Sequence, residues 1–172
     1  MIAKLFKPKF PASVIRYVTR YGKAGPDELR ILGGNTVSRD PEMLIREFMV
    51  SCDLKRNVLR PIIHASLSIP AGLSLSSAQW LSAAKCFLKE LGFDPLEDHQ
   101  FVVVQHLDRP HQHIHVIASR LSITTGKLVR EVRGDYYQAH RAAASAAKVV
   151  GLSPVIPKRP RKWGPRLPAP RL

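Results

Sequence analysis

Apolar residues recur along this chain with two periods, and the switches between them mark out its elements. Residues 1–6 predict a short strand. Residues 12–20 (ASVIRYVTR) place Val14, Ile15 and Val18 at helical spacing. Residues 22–39 are rich in Gly, Pro, Asn and Ser and read as a loop. Asp40, Pro41 and Glu42 then supply a cap, a first-turn proline and a first-turn acid, the marks of a helix start. Leu44, Ile45, Phe48, Met49 and Cys52 form its apolar stripe. Residues 62–69 (IIHASLSI) alternate with period two, as a strand does. Residues 77–91 predict a second amphipathic helix with Trp80, Ala84, Phe87, Leu88 and Leu91 inward, stopped by Gly92. Residues 101–106 and 114–121 read as two further strands, and Thr125-Gly126 as a hairpin turn into residues 127–132. Asp135 caps an alanine-rich last helix over residues 136–150. No internal repeat is evident. This order of elements predicts an α+β fold: a two-layer sandwich in which helices pack on a mostly antiparallel central sheet.

Length and charge narrow the picture. The chain has 172 residues, of which 45% are apolar, so a packed core is expected. We assign residues 1–153 to one domain and residues 154–172 to a tail. The tail holds six prolines, six Lys or Arg and no acid, which predicts an extended, disordered basic segment. The whole chain carries 27 bases against 13 acids, a formal charge of +14. With the six tail bases set aside, 21 bases still face 13 acids, so the domain itself is basic and suited to polyanions. No apolar run is long enough for a membrane span. The N-terminal MIAKLFKPKF breaks its apolar residues with lysines and does not read as a signal peptide. Cys52 and Cys86 lack C-x-x-C spacing and read as buried thiols of a reducing cytoplasm.

The chemistry concentrates in residues 105–120, QHLDRPHQHIHVIASR. Alternate strand residues share a face, so His113 and His115 project together while Ile114 and Val116 pack behind them. His106 ends the preceding strand, and the turn over residues 107–110 brings that strand back alongside. Three neutral imidazoles can then converge as a metal site with open positions. Asp108 is expected to accept the other ring N–H of His106 and fix its tautomer. His111 is expected to be a fourth ligand or a phosphate contact. Imidazole ligands by themselves suit zinc, copper, iron or nickel better than magnesium. A lone H-x-H pair is weak, whereas four histidines and an aspartate within ten residues on a strand–turn–strand are specific.

Such a metal can activate water, giving a hydrolase, or serve a side-chain nucleophile. Tyrosines 17, 21, 136 and 137 are the candidates. Tyr17 lies between Arg16 and Arg20, whose charge favours the phenolate and holds phosphate nearby. On spacing alone, a tyrosine on an amphipathic helix is more often a packing residue.

Three blocks, in order, resemble the relaxases, or mobilisation nucleases, of conjugative and mobilisable plasmids, members of the HUH endonuclease superfamily. They are SVIRYVTRYGKAG near the N-terminus, HASLSIPAG in the middle, and HLDRPHQHIHVIASR followed by a hairpin; together they span most of residues 1–135. The third block is highly specific, and the first two gain weight from their order. The resemblance implies a metal-dependent transesterase. Tyr17 would attack one phosphodiester of single-stranded DNA at a transfer origin, with Tyr21 as the fallback nucleophile. A 5′-phosphotyrosyl bond and a free 3′-hydroxyl would result, and the reaction would run backwards to religate. His106, His113 and His115 match the metal triad, and Asp108 the acid paired with the first histidine. The resemblance favours Mg²⁺ or Mn²⁺, with Zn²⁺ the ion that ligand softness suggests. Ser66 and Ser68 would touch DNA near the cut, and His64, on the same strand face, is either structural or part of the site. Arg16, Arg20, His111 and Arg120 are further expected DNA contacts. In the tail, Lys158, Arg159, Arg161 and Lys162 would neutralise phosphates and Trp163 would stack on an unpaired base. The resemblance also implies a plasmid-encoded bacterial protein of the cytoplasm, accessory DNA-binding partners, and a secretion apparatus. Three alternatives stay open: a replication-initiating HUH nuclease, a metal-dependent hydrolase, and a basic DNA-binding accessory protein with vestigial histidines.

Overall fold

A computed structural model describes residues 1–19, 28–94, 96–129 and 135–155. In chain order the elements are β1 (Ile2–Phe6), α1 (Pro11–Val18), β2 (Leu29–Gly34), α2 (Pro41–Asp53), β3 (Ile62–Ser68), α3 (Ser77–Glu90), β4 (His99–His106), β5 (His113–Ser122) and α4 (Asp135–Val149), with a short 3₁₀ turn at Leu96–Asp98 before β4. The strands form one sheet in the order β1-β3-β5-β4-β2, and every neighbouring pair is antiparallel.

Local chemistry explains the helix starts. The Asp40 carboxylate accepts from the Met43 N–H at 3.0 Å, with Pro41 in the first turn; such a cap contributes about 1 kcal/mol. Ser76 and Gln79 form a reciprocal capping box at the start of α3. Gly92 follows α3 with a φ of 90°, a conformation that suits glycine. The inward face of α2 differs slightly from expectation. Met49 is 50% exposed, and Ser51 is buried in its place, because its Oγ donates to the Phe48 carbonyl at 2.9 Å and needs no water.

The α+β architecture is as expected, but its layering differs. Trp80, Phe87 and Leu88 of α3 and the alanines of α4 pack on Ala65, Leu67, Val103, Ile114 and Val116. Val14, Ile15 and Val18 of α1 and Leu44, Ile45 and Phe48 of α2 pack on Ile62, Val102, Val104 and Ile117, which face the other way. Helices therefore cover both faces and make three layers where two were expected. The central strands allow this because they are apolar on both sides: every residue of β5 is buried.

The second departure is β2, which falls where a loop was expected. It pairs along β4 from Leu29 opposite His106 to Gly34 opposite Val102, with a bulge between Ile31 and Gly33. Gly34 has a φ of +149° and lies so close to Phe101 that a Cβ would come within 2.2 Å of its backbone oxygen. Asn35 then fixes the strand end, donating to the His99 carbonyl at 2.9 Å and accepting from the Phe101 N–H at 2.7 Å. Beyond β5, the Ser122 N–H donates to the Lys127 carbonyl and Leu121 bridges Leu128. Residues 130–132 of the expected hairpin lie outside the described residues.

The face carrying α1 and α2 is only half covered. On its β1 side, Ile2, Lys4 and Phe6 are exposed, and Ser66 and Ser68 are half-buried. The register puts Lys4 opposite Ser66 and Phe6 opposite His64. No described helix is long and apolar enough to cross a membrane.

Candidate active site

The histidines gather where β4 ends and β5 begins. His106 and His113 stand opposite each other in the ladder, and strand alternation puts His115 on the same face. The three rings are buried, and one ligand-capable atom from each lies within 4.8 Å of the other two. The His106 and His115 ring centroids are 4.3 Å apart. This is the end of the face that α1 reaches and the edge of its uncovered half.

The hydrogen bonds around these rings constrain their protons. His106 Nε2 lies 2.6 Å from the carbonyl oxygen of Val18, in the last turn of α1. A carbonyl only accepts, so Nε2 carries the proton and Nδ1 keeps its lone pair. The last carbonyls of a helix have no partner within it, and here the imidazole supplies one. The Val18 carbonyl is thus an acceptor for the His106 ring that the sequence did not show, and Asp108 Oδ1 stands 3.7 Å from His113 Nε2. His113 Nδ1 is buried with no hydrogen-bond partner among the described residues.

Burial pushes the His115 ring down to about 2, helped by the neighbouring His106, His64 and His113 rings. Burial likewise lowers His113. Both are neutral bases near pH 7, the form a metal needs. Three converging imidazoles, one holding an unpartnered buried nitrogen, fit a divalent cation.

His64 joins the cluster from β3. Its Nε2 lies 2.9 Å from His115 Nδ1, with ring planes 29° apart. Burial and the neighbouring His106 push His64 down to about 4. The alternation of residues 62–69 placed His64 on this face. Its bond to His115 crosses 51 positions of sequence and is visible only once β3 and β5 are aligned.

Tyr17 comes to the same place from α1. With Val14, Ile15 and Val18 turned inward, Tyr17 is left 64% exposed. Its ring centroid is 6.0 Å from those of both His64 and His115, edge-on to each. Phe6 covers the other flank, stacked 6.0 Å from His64; nothing in the sequence marked it.

The other expected contacts fall into three groups. Ser66 and Ser68 lie opposite His115 and His113 in the β3–β5 register, and the His111 ring is 5.7 Å from that of His113. Two arginines are placed differently from expectation. Arg120 is 3% exposed, and its guanidinium donates to the carbonyls of Arg60 and Val129, each at 2.8 Å. It braces loops inside the fold, because β5 is covered on both faces. Arg16 pairs with Glu42 at 3.0 Å and ties α1 to α2. Arg20, Tyr21, Lys158, Arg159, Arg161, Lys162 and Trp163 lie outside the described residues. Cys52 and Cys86 are free thiols in α2 and α3, half-buried where full burial was expected.

One family model, described as "Relaxase: MobA/VirD2-like, nuclease domain", matches residues 17–152. No curated protein matches the chain.

Proposed function

This chain belongs to the MobA/VirD2-like relaxases through its nuclease domain, and we propose that it nicks and reseals single-stranded DNA at a plasmid transfer origin, with Tyr17 as nucleophile. The carrying observation is that Tyr17, from the first helix, stands 6.0 Å by ring centroid from His115, from the last strand. Chain segments nearly 100 residues apart thus bring a solvent-facing phenol to a cluster of buried imidazoles.

In this reading His106, His113 and His115 hold a divalent cation, Mg²⁺ or Mn²⁺, whose charge would polarise the scissile phosphodiester and stabilise negative charge on its oxygens. The chain's own residues do the rest. Burial keeps His113 and His115 neutral, and uncharged imidazole ligands would leave the cation's charge available to an anionic phosphate. Tyr17 Oη gives up its proton to solvent or a neighbouring base and forms a bond to phosphorus. The bond from phosphorus to the 3′-oxygen breaks, and that oxygen leaves as a hydroxyl after taking a proton. One phosphodiester replaces another, so the 5′-phosphotyrosyl bond stores what religation needs. The uncovered half of the sheet suits the strand leading to the cut: Lys4 for phosphate, Ser66 and Ser68 as hydroxyl donors, and Phe6 as a surface on which a base stacks.

The test uses labelled single-stranded DNA carrying the cognate transfer origin, with Mn²⁺. The wild-type protein and Tyr21→Phe should form an adduct that survives denaturing gels, and Tyr17→Phe should not. An adduct that persists in the Tyr17→Phe/Tyr21→Phe double variant rejects chemistry by either of these tyrosines.

A further inference from the structure

We infer that His64 is a positioning residue: its Nε2 lone pair fixes the tautomer and tilt of His115, and so decides whether His115 can serve as a metal ligand. The inference rests on the metal-site reading above and adds a fourth imidazole that no triad pattern contains.

The geometry begins with strand register. His64 is opposite Ile117, and His115 is opposite Ser66. The two histidines are therefore diagonal neighbours on one sheet face, a separation long side chains can close. They do so with a 2.9 Å contact between His64 Nε2 and His115 Nδ1. The residues are 8% and 6% exposed, so water competes poorly for either nitrogen. Phe6 stacks on His64 from the solvent side, and Tyr17 meets it edge-on.

One proton sits between the two nitrogens, and its owner decides the chemistry. If His64 donates, His115 carries its own proton on Nε2 and has no lone pair for a cation. If His115 donates from Nδ1, its Nε2 lone pair is free, and His64 holds its proton on Nδ1. Ligand duty at His115 thus requires His64 to be the acceptor. Metal-bound histidines usually donate their second ring N–H to a carboxylate, a carbonyl or water. Here the acceptor is a neutral ring, as the Val18 carbonyl is neutral at His106. Neither acceptor subtracts charge from a cation that has to attract phosphate.

The test reads metal affinity and tautomer in the full chain without DNA. His64→Leu keeps apolar volume and removes the acceptor, whereas His64→Gln places an amide oxygen near the former Nε2. Titration calorimetry with Mn²⁺ should show affinity about 10- to 100-fold weaker in His64→Leu and restored to within a few-fold in His64→Gln. In metal-free protein, ¹⁵N spectra should show His115 protonated on Nδ1 in the wild type and shifted from that form in His64→Leu. Equal Mn²⁺ affinity in a folded His64→Leu, or a wild-type His115 protonated on Nε2, overturns the inference. A wild-type chain that binds no Mn²⁺ defeats the metal reading instead, and the spectra still decide what His64 does.

Discussion

Two of the three clustered histidines should respond in opposite ways when replaced by leucine in metal-free protein. The His106 ring donates a 2.6 Å hydrogen bond to the Val18 carbonyl, and both residues are buried. His106→Leu keeps roughly the same volume but leaves that carbonyl unmet at the end of α1. The lost bond is worth about 1 kcal/mol, and an unsatisfied buried acceptor costs about 1–3 kcal/mol. His113 Nδ1 is buried and makes no well-formed hydrogen bond among the described residues; the His111 backbone compensates the ring only in part, so it already carries a desolvation cost. His113→Leu removes that cost and should leave stability unchanged or raised by about 1 kcal/mol. Urea unfolding with a chelator present measures both. Saturating Mn²⁺ then lifts the wild type above both variants, because at 100 times Kd binding stabilises it by about 2.7 kcal/mol and should do little for either variant. A loss in the chelated His113→Leu protein as large as in His106→Leu would refute the reasoning, since the two rings would then be bound alike into the fold.

Two further outcomes follow from burial and from backbone crowding. His64 is pushed down to about 4 and His115 to about 2, against an ordinary 6.5, so the unfolded chain takes up these protons first. Stability should be full above pH 6.5 and fall as the pH drops from there towards 4, by up to about 1.4 kcal/mol per unit per ring; identical urea midpoints at pH 7.5 and 5 in chelator would contradict this. Gly34→Ala drives a Cβ to within 2.2 Å of the Phe101 backbone oxygen, whereas Gly33→Ala meets only the flexible end of Leu81 at 2.9 Å. Thermal unfolding should therefore show Gly34→Ala losing about 3 kcal/mol or more and Gly33→Ala clearly less, and equal losses would refute the close approach of β2 to β4.

Much of the fold could be read from the sequence where the causes are local. Asp40-Pro41 and Ser76 with Gln79 cap their helices through residues three positions away, and the alternation of residues 113–116 comes from the strand period itself. What escaped depends on distant partners. The LRILGG stretch of β2 looks like loop because its glycines have meaning only against Phe101 and Leu81. Arg120 looks like a surface cation until the carbonyls of Arg60 and Val129 are in place around it. The site divides along the same line. The convergence of His106, His113 and His115 is legible because one short turn connects them. The approach of Tyr17 and the His64–His115 bond require α1 and β3 to be docked. The acceptor at His106 escaped for a related reason: it is a helix-end carbonyl 88 residues earlier in the chain.

The rings of His106, His113 and His115 sit on a single β-hairpin, while the Tyr17 phenol arrives on a helix near the start of the sequence. During synthesis Tyr17 emerges from the ribosome long before the hairpin exists. A partly folded chain then has either the phenol or the imidazole cluster, and the two meet only when α1 settles onto the finished sheet, with the Val18 carbonyl against His106. In the proposed nicking chemistry, the reacting groups are thereby kept apart until the architecture is complete.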